Sequence, residues 1–271
     1  MNEVFAWRDA PSAEFAVIGF PISHSLSPAM HSAAFAACGL TSSYVAIEVH
    51  PGEVSDALNH LADLGYRGVN VTVPHKEDAF GWCTTTTSVA SDLRVCNTLE
   101  LQKRHGTNTD VQGFASSLPI NGTTTKSALV LGAGGSARSI LYALISEGWT
   151  ISLWNRTRLR AEELLAQIEV LGQSVTIVDE PDLSGKVLIV NTTSASLTGD
   201  RLPLDWDLAS PSALAYDLAY GKGLTPFLED AQQFGLEIMD GRHMLMEQGA
   251  AAFEFWWNQP APRKEMLAAI Q

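Results

Sequence analysis

The chain has 271 residues, a length that holds one large domain or two modest ones. Hydrophobic residues make up 46% and charged residues 17%, ample material for a core and a composition unlike that of disordered chains. Asp and Glu outnumber Lys and Arg by 30 to 17, and a formal charge of −13 argues against nucleic acid or an anionic membrane surface as partners.

The first fifteen residues lack a basic stretch followed by an apolar one, so no signal peptide is expected. The most apolar run, 128–145, is interrupted by its glycines and by Arg138, and does not read as membrane-spanning. The three cysteines, Cys38, Cys83 and Cys96, form no C-x-x-C motif. Structural disulfides and thiolate zinc sites are therefore not expected, and a reducing cytoplasm is the expected compartment. The seven histidines show no ligand spacing, so no metal is expected either.

In chain order, 15–19 reads as a strand and 28–38 as a helix, with Ser27 as N-cap and Pro28 in its first turn. Residues 44–49 and 68–73 read as strands around an amphipathic helix at 53–64, a rhythm that favours a mostly parallel sheet. Two short stretches, 84–88 and 121–125, are low in complexity, and the second, polar and glycine-containing, reads as a loop. The middle third then alternates more regularly. Strands are expected at 128–131, 150–154, 175–178, 187–190 and 213–216, with helices from the glycine turn to about 146 and at 159–171. That is the pattern of a doubly wound nucleotide-binding unit. Helices at 225–234 and 244–257 complete the chain, the last apolar enough to pack back on the N-terminal part.

Gly132, Gly134, Gly135 and Ala137 sit between an apolar strand and a helix. Glycines there allow a tight turn and close backbone approach to a pyrophosphate, whose charge the helix amides meet. A free ribose 2′-hydroxyl calls for a carboxylate after the second strand. Instead the chain reads Asn155-Arg156-Thr157-Arg158-Leu159-Arg160, three arginines in five residues of an acidic protein. Cations oppose the dipole at a helix start unless an anion is bound, so this window predicts a 2′-phosphate and NADP(H) as cofactor. Arg156 and Arg160 share a face; Arg158 is expected to be a bystander.

Asn70 and Thr72 point to one face of their strand while Val69, Val71 and Val73 point to the other. The strand delivers His75-Lys76-Glu77, and Asn108 and Asp110 repeat the two-residue spacing further on. By spacing alone, Lys76 is either a surface lysine or half of a proton-handling pair with Asp110.

The chain resembles the shikimate dehydrogenase family along nearly its whole length. The matching segments are Gly19-Phe-Pro-Ile-Ser-His-Ser-Leu-Ser-Pro28, Gly68-Val-Asn-Val-Thr-Val-Pro-His-Lys-Glu77, Asn97-Thr-Leu99 and Asn108-Thr-Asp110. They continue with the glycine turn, Asn155-Arg-Thr157, Tyr216-Asp217, Gly223-Leu-Thr-Pro-Phe227 and Asp240-Gly241. The resemblance implies an N-terminal mixed α/β substrate domain (1–109 with 244–271), a Rossmann domain for NADP(H) (110–243), and an active-site cleft between them. It implies reduction of 3-dehydroshikimate to shikimate by a monomer or homodimer, with quinate or an aminoshikimate as alternative substrates. A non-catalytic sensor of cofactor or metabolite is the alternative from another class, against which both Lys76 and Asp110 speak.

Position by position, the resemblance makes Lys76 and Asp110 the catalytic pair. Ser25 and Ser27 take the substrate carboxylate, Asn70, Thr72, Asn97 and Gln248 its hydroxyls and carbonyl, and Tyr220 flanks it. The cofactor set is Gly132, Gly134, Gly135, Ser136, Ala137, Asn155, Arg156, Thr157, Arg160, Thr192 and Met244. Three places depart from the family pattern: Arg94-Val95-Cys96 for Gly-Ala-Val before Asn97, Ser196 for the glycine after Asn191-Thr-Thr193, and His243 for the glycine before Met244.

Overall fold

A computed structural model of the chain describes residues 3–119, 126–167, 175–221 and 223–271. The loop expected at 121–125 and the end of the helix expected at 159–171 lie outside the described residues. The chain divides into two compact units, Met1–Gly113 with Leu245–Gln271, and Phe114–Met244.

In the first unit the strands are β1 (Val4–Ala6), β2 (Phe15–Gly19), β3 (Tyr44–Glu48), β4 (Gly68–Val71), β5 (Thr85–Thr86), β6 (Thr98–Glu100) and β7 (His105–Thr107). They form one sheet in the order β1-β3-β2-β4-β6-β7-β5. Pairing is parallel from β1 to β4; β6 runs antiparallel to β4 and to β7. Helices are α1 (Ser27–Ala37), α2 (Val54–Asp63), α3 (Lys76–Trp82) and α4 (Ser88–Leu93), and α5 (Asp110–Ser117) begins here and ends in the second unit.

Strand alternation explains why both faces of this sheet are covered. Ala16 and Ile18 of β2 pack with Leu58 and Leu61 of α2 and Ala79 and Trp82 of α3. Phe15 and Val17, on the other face, pack with Met30 and Phe35 of α1 and Phe253 of a C-terminal helix.

In the second unit β8 (Ser127–Leu131), β9 (Thr150–Trp154), β10 (Val175–Ile177), β11 (Leu188–Asn191), β12 (Leu214–Asp217) and β13 (Glu237–Met239) form an all-parallel sheet. Its order is β10-β9-β8-β11-β12-β13, which reverses direction between β8 and β11. In doubly wound sheets a ligand binds outside the strand ends at that reversal. Helices α6 (Gly135–Ser146), α7 (Arg158–Gln167), α8 (Ala195–Thr198) and α9 (Pro226–Gln233) connect the strands, and α10 (Arg242–Trp257) and α11 (Arg263–Ala268) end the chain.

Two local expectations are corrected. Ser27 is the first helical residue of α1 rather than its cap, because the Ser25 hydroxyl two residues earlier already accepts the Ser27 amide at 3.3 Å. β4 stops at Val71, before the cis Val73–Pro74 bond, and Val73 is 50% exposed instead of lining the apolar face. Among the described residues no helix is long and apolar enough to cross a membrane.

Candidate active site

Lys76 and Asp110 are the first residues of α3 and α5. The Lys76 ammonium donates to Asp110 Oδ2 at 2.6 Å, and the two side chains are only 11% and 7% exposed. The β6–β7 hairpin, with Thr98 opposite Thr107, carries the chain back so that residues 34 apart meet. Asp110 lies where a helix N-terminus favours a carboxylate. Asn108 Oδ1 accepts from the Asp110 and Val111 amides at 3.0 and 3.3 Å, so the Asn108-x-Asp110 spacing closes the turn into α5.

Asn97 completes the arrangement. Its amide donates to Asp110 Oδ1 at 2.8 Å and to Thr109 Oγ1 at 3.0 Å, and its carbonyl oxygen accepts the Thr109 N–H at 2.7 Å. Both carboxylate oxygens of Asp110 therefore have charged or polar partners. Asn70, buried on β4, donates to Thr98 Oγ1 at 2.9 Å and to the Asn97 carbonyl at 3.2 Å. The Tyr44 hydroxyl holds Asn70 Oδ1 at 2.7 Å. Burial pushes the Tyr44 phenol well above its usual range, with Ser27 beside its hydroxyl acting the other way.

Asn70, Asn97, Lys76 and Asp110 are thus one hydrogen-bonded network. Ser25, Ser27, Thr72 and Gln248 lie in the same unit, and Tyr220 and Met244 in the other. Thr72 follows β4 with its amide on Ile18 O at 2.9 Å. A Cβ on Gly19 would come within 2.5 Å of its methyl, so only glycine fits there. Gln248, on α10, donates to Leu245 O at 2.9 Å. A Cβ on Gly113 would meet Gln248 Cβ at 2.6 Å, so that glycine lets α10 approach α5. Tyr220 is half-buried and Met244 buried.

Sequence reasoning passed over four supporting residues. Tyr44 left no local signal. Thr98 and Thr109 each follow an asparagine, and that repeated Asn-Thr pair was the available clue. His75 is fully buried, its Nε2 2.7 Å from Val49 O, and fixes the turn that delivers Lys76.

In the second unit, β8 ends at Leu131 and Gly132 turns the chain with φ 108, a conformation that favours glycine. A Cβ there would strike Thr192 Oγ1 at 2.6 Å. Thr192 follows β11 and donates to Leu131 O at 2.8 Å, so it braces the turn from the neighbouring strand. Apart from the adjoining chain and the backbone of α6, no described atom lies within 4 Å of where a Cβ on Gly134 or Gly135 would be. Gly134 caps α6 with no side-chain acceptor, and Ser136 and Ala137 occupy its first turn. Free helix amides beside an open glycine turn suit a pyrophosphate.

After β9, Asn155 Nδ2 donates to Thr157 O at 2.8 Å and shapes the turn into α7. Arg158 is held by Glu162 at 2.8 Å and Asp179 at 2.6 Å. Arg156 and Arg160 are exposed and form no ion pair among the described residues. The donor set fits a 2′-phosphate: two available guanidiniums flank a third that is already neutralised. Among the described residues no group of His, Cys, Asp or Glu is arranged to hold a metal ion.

Comparison with known proteins gives the same picture along the sequence. The model of the shikimate dehydrogenase substrate binding domain matches residues 17–99, and that of the shikimate 5′-dehydrogenase C-terminal domain matches 241–271. A protein of Moorella thermoacetica named shikimate dehydrogenase (NADP(+)) is 39% identical over 91% of this chain and 88% of its own. The crystal structure of shikimate dehydrogenase from Aquifex aeolicus superposes with a TM-score of 0.87, at 34% identity over 95% of this chain and 97% of its own. That of shikimate 5-dehydrogenase from Thermus thermophilus, in complex with NADP(H) and shikimate, gives 0.85 at 35% identity over 94% and 97%. Identity sustained along nine-tenths of the length shows that the chain belongs to the shikimate dehydrogenase family.

Proposed function

We propose that this protein reduces the ketone of 3-dehydroshikimate to the alcohol of shikimate with NADPH. The observation that carries this reading is the Lys76–Asp110 pair, nearly buried and fixed by Asn97. A metabolite-binding module has no need of a buried cation held 2.6 Å from a carboxylate. Family membership narrows the ligand class.

In this reading the unit that contains Lys76 takes the substrate. Ser25 and Ser27, at the start of α1, receive its carboxylate, since hydroxyls beside a helix N-terminus suit an anion. Asn70, Thr72, Asn97 and Gln248 face the ring hydroxyls and the ketone, and Tyr220 flanks the ring. NADPH, when bound, supplies the hydride. Gly132, Gly134, Gly135, Ser136, Ala137 and Thr192 hold its pyrophosphate; Asn155, Arg156, Thr157 and Arg160 its 2′-phosphate; and Met244 its nicotinamide.

Lys76 does the proton work. One ammonium hydrogen lies on Asp110 Oδ2, which leaves two to meet the oxygen on which negative charge develops. Lys76 delivers a proton from Nζ to that oxygen, and Asp110 keeps Nζ in place throughout. Asn97, by occupying Oδ1, stops the carboxylate from rotating away.

The test is direct: purified protein with shikimate and NADP, followed by the absorbance of the reduced cofactor, beside the same assay with quinate. Turnover with shikimate at a kcat/KM well above that for quinate supports the proposal. Binding without turnover removes it in favour of a sensor.

A further inference from the structure

Cys96 stands where the family pattern has valine, and the function proposed above gives it no task. Its neighbourhood does. Cys83 is the C-cap that follows α3, the helix that starts at Lys76, and Cys96 immediately precedes Asn97. Both sulfurs lie 2.6 Å from the point where a Cβ on Gly106 would sit, so they are within about 5 Å of one another. Gly106, on β7, is the residue that leaves them this shared space. Cys96 is buried and Cys83 is partly exposed.

From this juxtaposition we infer that Cys83 and Cys96 are a redox-sensitive pair, closed into a disulfide by a hydroperoxide and reopened by a dithiol. Their electrostatics differ in the way such a pair requires. The Cys83 thiol is pulled below its usual range, first by a hydrogen bond from Cys96 and further by the Arg104 charge, against the effect of burial. The Cys96 thiol is pushed up, first by that same hydrogen bond and then by burial. Cys83 is the attacking sulfur and Cys96 the resolving one.

The chemistry balances with a peroxide, ROOH, as oxidant. The Cys83 thiolate attacks the outer oxygen, the O–O bond breaks, and the alkoxide leaves as ROH after taking a proton. Cys83 is now a sulfenic acid. Cys96 gives up its proton and attacks the Cys83 sulfur, the S–S bond forms, and hydroxide leaves as water. Two thiols and ROOH become one disulfide, ROH and water, with two electrons passed from sulfur to peroxide. A dithiol returns two electrons and two protons.

The bond pulls on the catalytic network at two points. The Cys96 amide donates to the Lys76 carbonyl at 3.0 Å, and the next residue, Asn97, holds Asp110. Bringing the sulfurs to about 2.05 Å draws the end of the Lys76 helix toward the Asn97 strand. Displacements well below 1 Å at a proton-transfer site suffice to slow it, and a loss of about tenfold in kcat is expected.

The effect on turnover rests on the shikimate dehydrogenase reading; the bond itself does not. The full chain is therefore assayed reduced, then after a small excess of hydrogen peroxide, then after dithiothreitol, with peptide mapping under non-reducing conditions at each stage. Expected are a Cys83–Cys96 linked peptide, the kcat loss, and recovery of both with dithiothreitol. The same is expected in Cys38→Ser, whereas Cys83→Ser keeps its kcat through the treatment and gives no linked peptide. Three free thiols after treatment, a link to Cys38, or sulfinic acid at Cys83 without a link would overturn the pair. A linked protein with unchanged kcat would overturn its control of turnover. A reduced protein without activity counts against the function alone, since the map still decides the bond.

Discussion

Replacing Lys76 by methionine keeps the length of the side chain and removes its charge, so it separates chemistry from packing. Two losses follow from the geometry. The proton donor disappears, and general acid catalysis of this kind contributes about 10²–10⁴ in rate, roughly 2.7–5.5 kcal/mol of transition-state stabilisation. Asp110 Oδ2 also loses its charged partner Lys76 while 7% exposed, with Oδ1 still held by Asn97. Stranding one member of a buried pair costs about 3–5 kcal/mol of stability. At roughly 2–4 °C per kcal/mol for a chain of this size, Tm falls by roughly 6–20 °C. The double variant Lys76→Met, Asp110→Leu leaves no stranded charge, so Tm recovers most of that loss while kcat does not. The assay is kcat and KM at a temperature where both variants are folded by circular dichroism, alongside thermal melts. If folded Lys76→Met keeps kcat within about tenfold of the unaltered protein, the donor role of Lys76 is refuted.

Three further outcomes are expected. The Arg156→Ala, Arg160→Ala double variant should lose most of the preference for NADP over NAD, and raised salt should weaken that preference in the unaltered protein; Arg158→Ala, whose guanidinium is already committed to Glu162 and Asp179, should leave it intact. His31 is buried and stacked 4.4 Å from Tyr44, and burial pushes its imidazole down to about 3 from 6.5, so between those values the unfolded chain binds the extra proton. Folding stability should therefore be fully present above pH 6.5 and decline as pH falls toward 3, by up to about 1.4 kcal/mol per pH unit from this residue; urea titrations of His31→Phe that run parallel to the unaltered protein across this window would contradict it. Arg94 ends α4 in the left-handed region at φ 55, where the family pattern has glycine, and Arg94→Gly should raise stability by about 0.5–1 kcal/mol in the same titrations.

The strands legible in the sequence were those with an apolar run, continuous or alternating, next to a glycine or an asparagine turn. The strand expected at 15–19 is β2, that at 150–154 is β9, and that at 128–131 falls one residue short of β8. Periodicity had no purchase on β1, β5, β6, β7 and β13, which are two or three residues long and are held by their neighbours in the sheet rather than by their own pattern. The stretch 84–88 is nearly all threonine and carries no period of either kind, yet it contains β5 and opens α4. Helices α3 and α5 escape periodicity for a related reason, since they are only seven and eight residues long and each begins at a charged residue, Lys76 and Asp110.

The site itself was legible as residue types and not as a constellation. Nothing local says that Lys76 meets Asp110, because the contact depends on the β6–β7 hairpin, two three-residue strands without a sequence signature. The departures from the family pattern show the converse. Ser196, in place of glycine, donates to Asp217 Oδ2 at 2.5 Å, joining Thr225 at 2.6 Å, the Ala219 amide at 3.0 Å and Asn191 at 3.2 Å. Burial still raises the Asp217 carboxyl, so a further hydroxyl on it is a gain that the smaller residue cannot supply. Arg94 keeps the left-handed turn at an energetic cost while its side chain stays exposed. His243 is likewise exposed, one residue before buried Met244 on α10. Each change falls where the backbone path is set by something else: strand β11 before Ser196, the α4 turn and the Asn97 network around Arg94, and helix α10 at His243. Side chains are free to drift at such positions because the residues that fix the geometry, Asn97, Asp110 and Asp217, are buried and hydrogen-bonded on several sides.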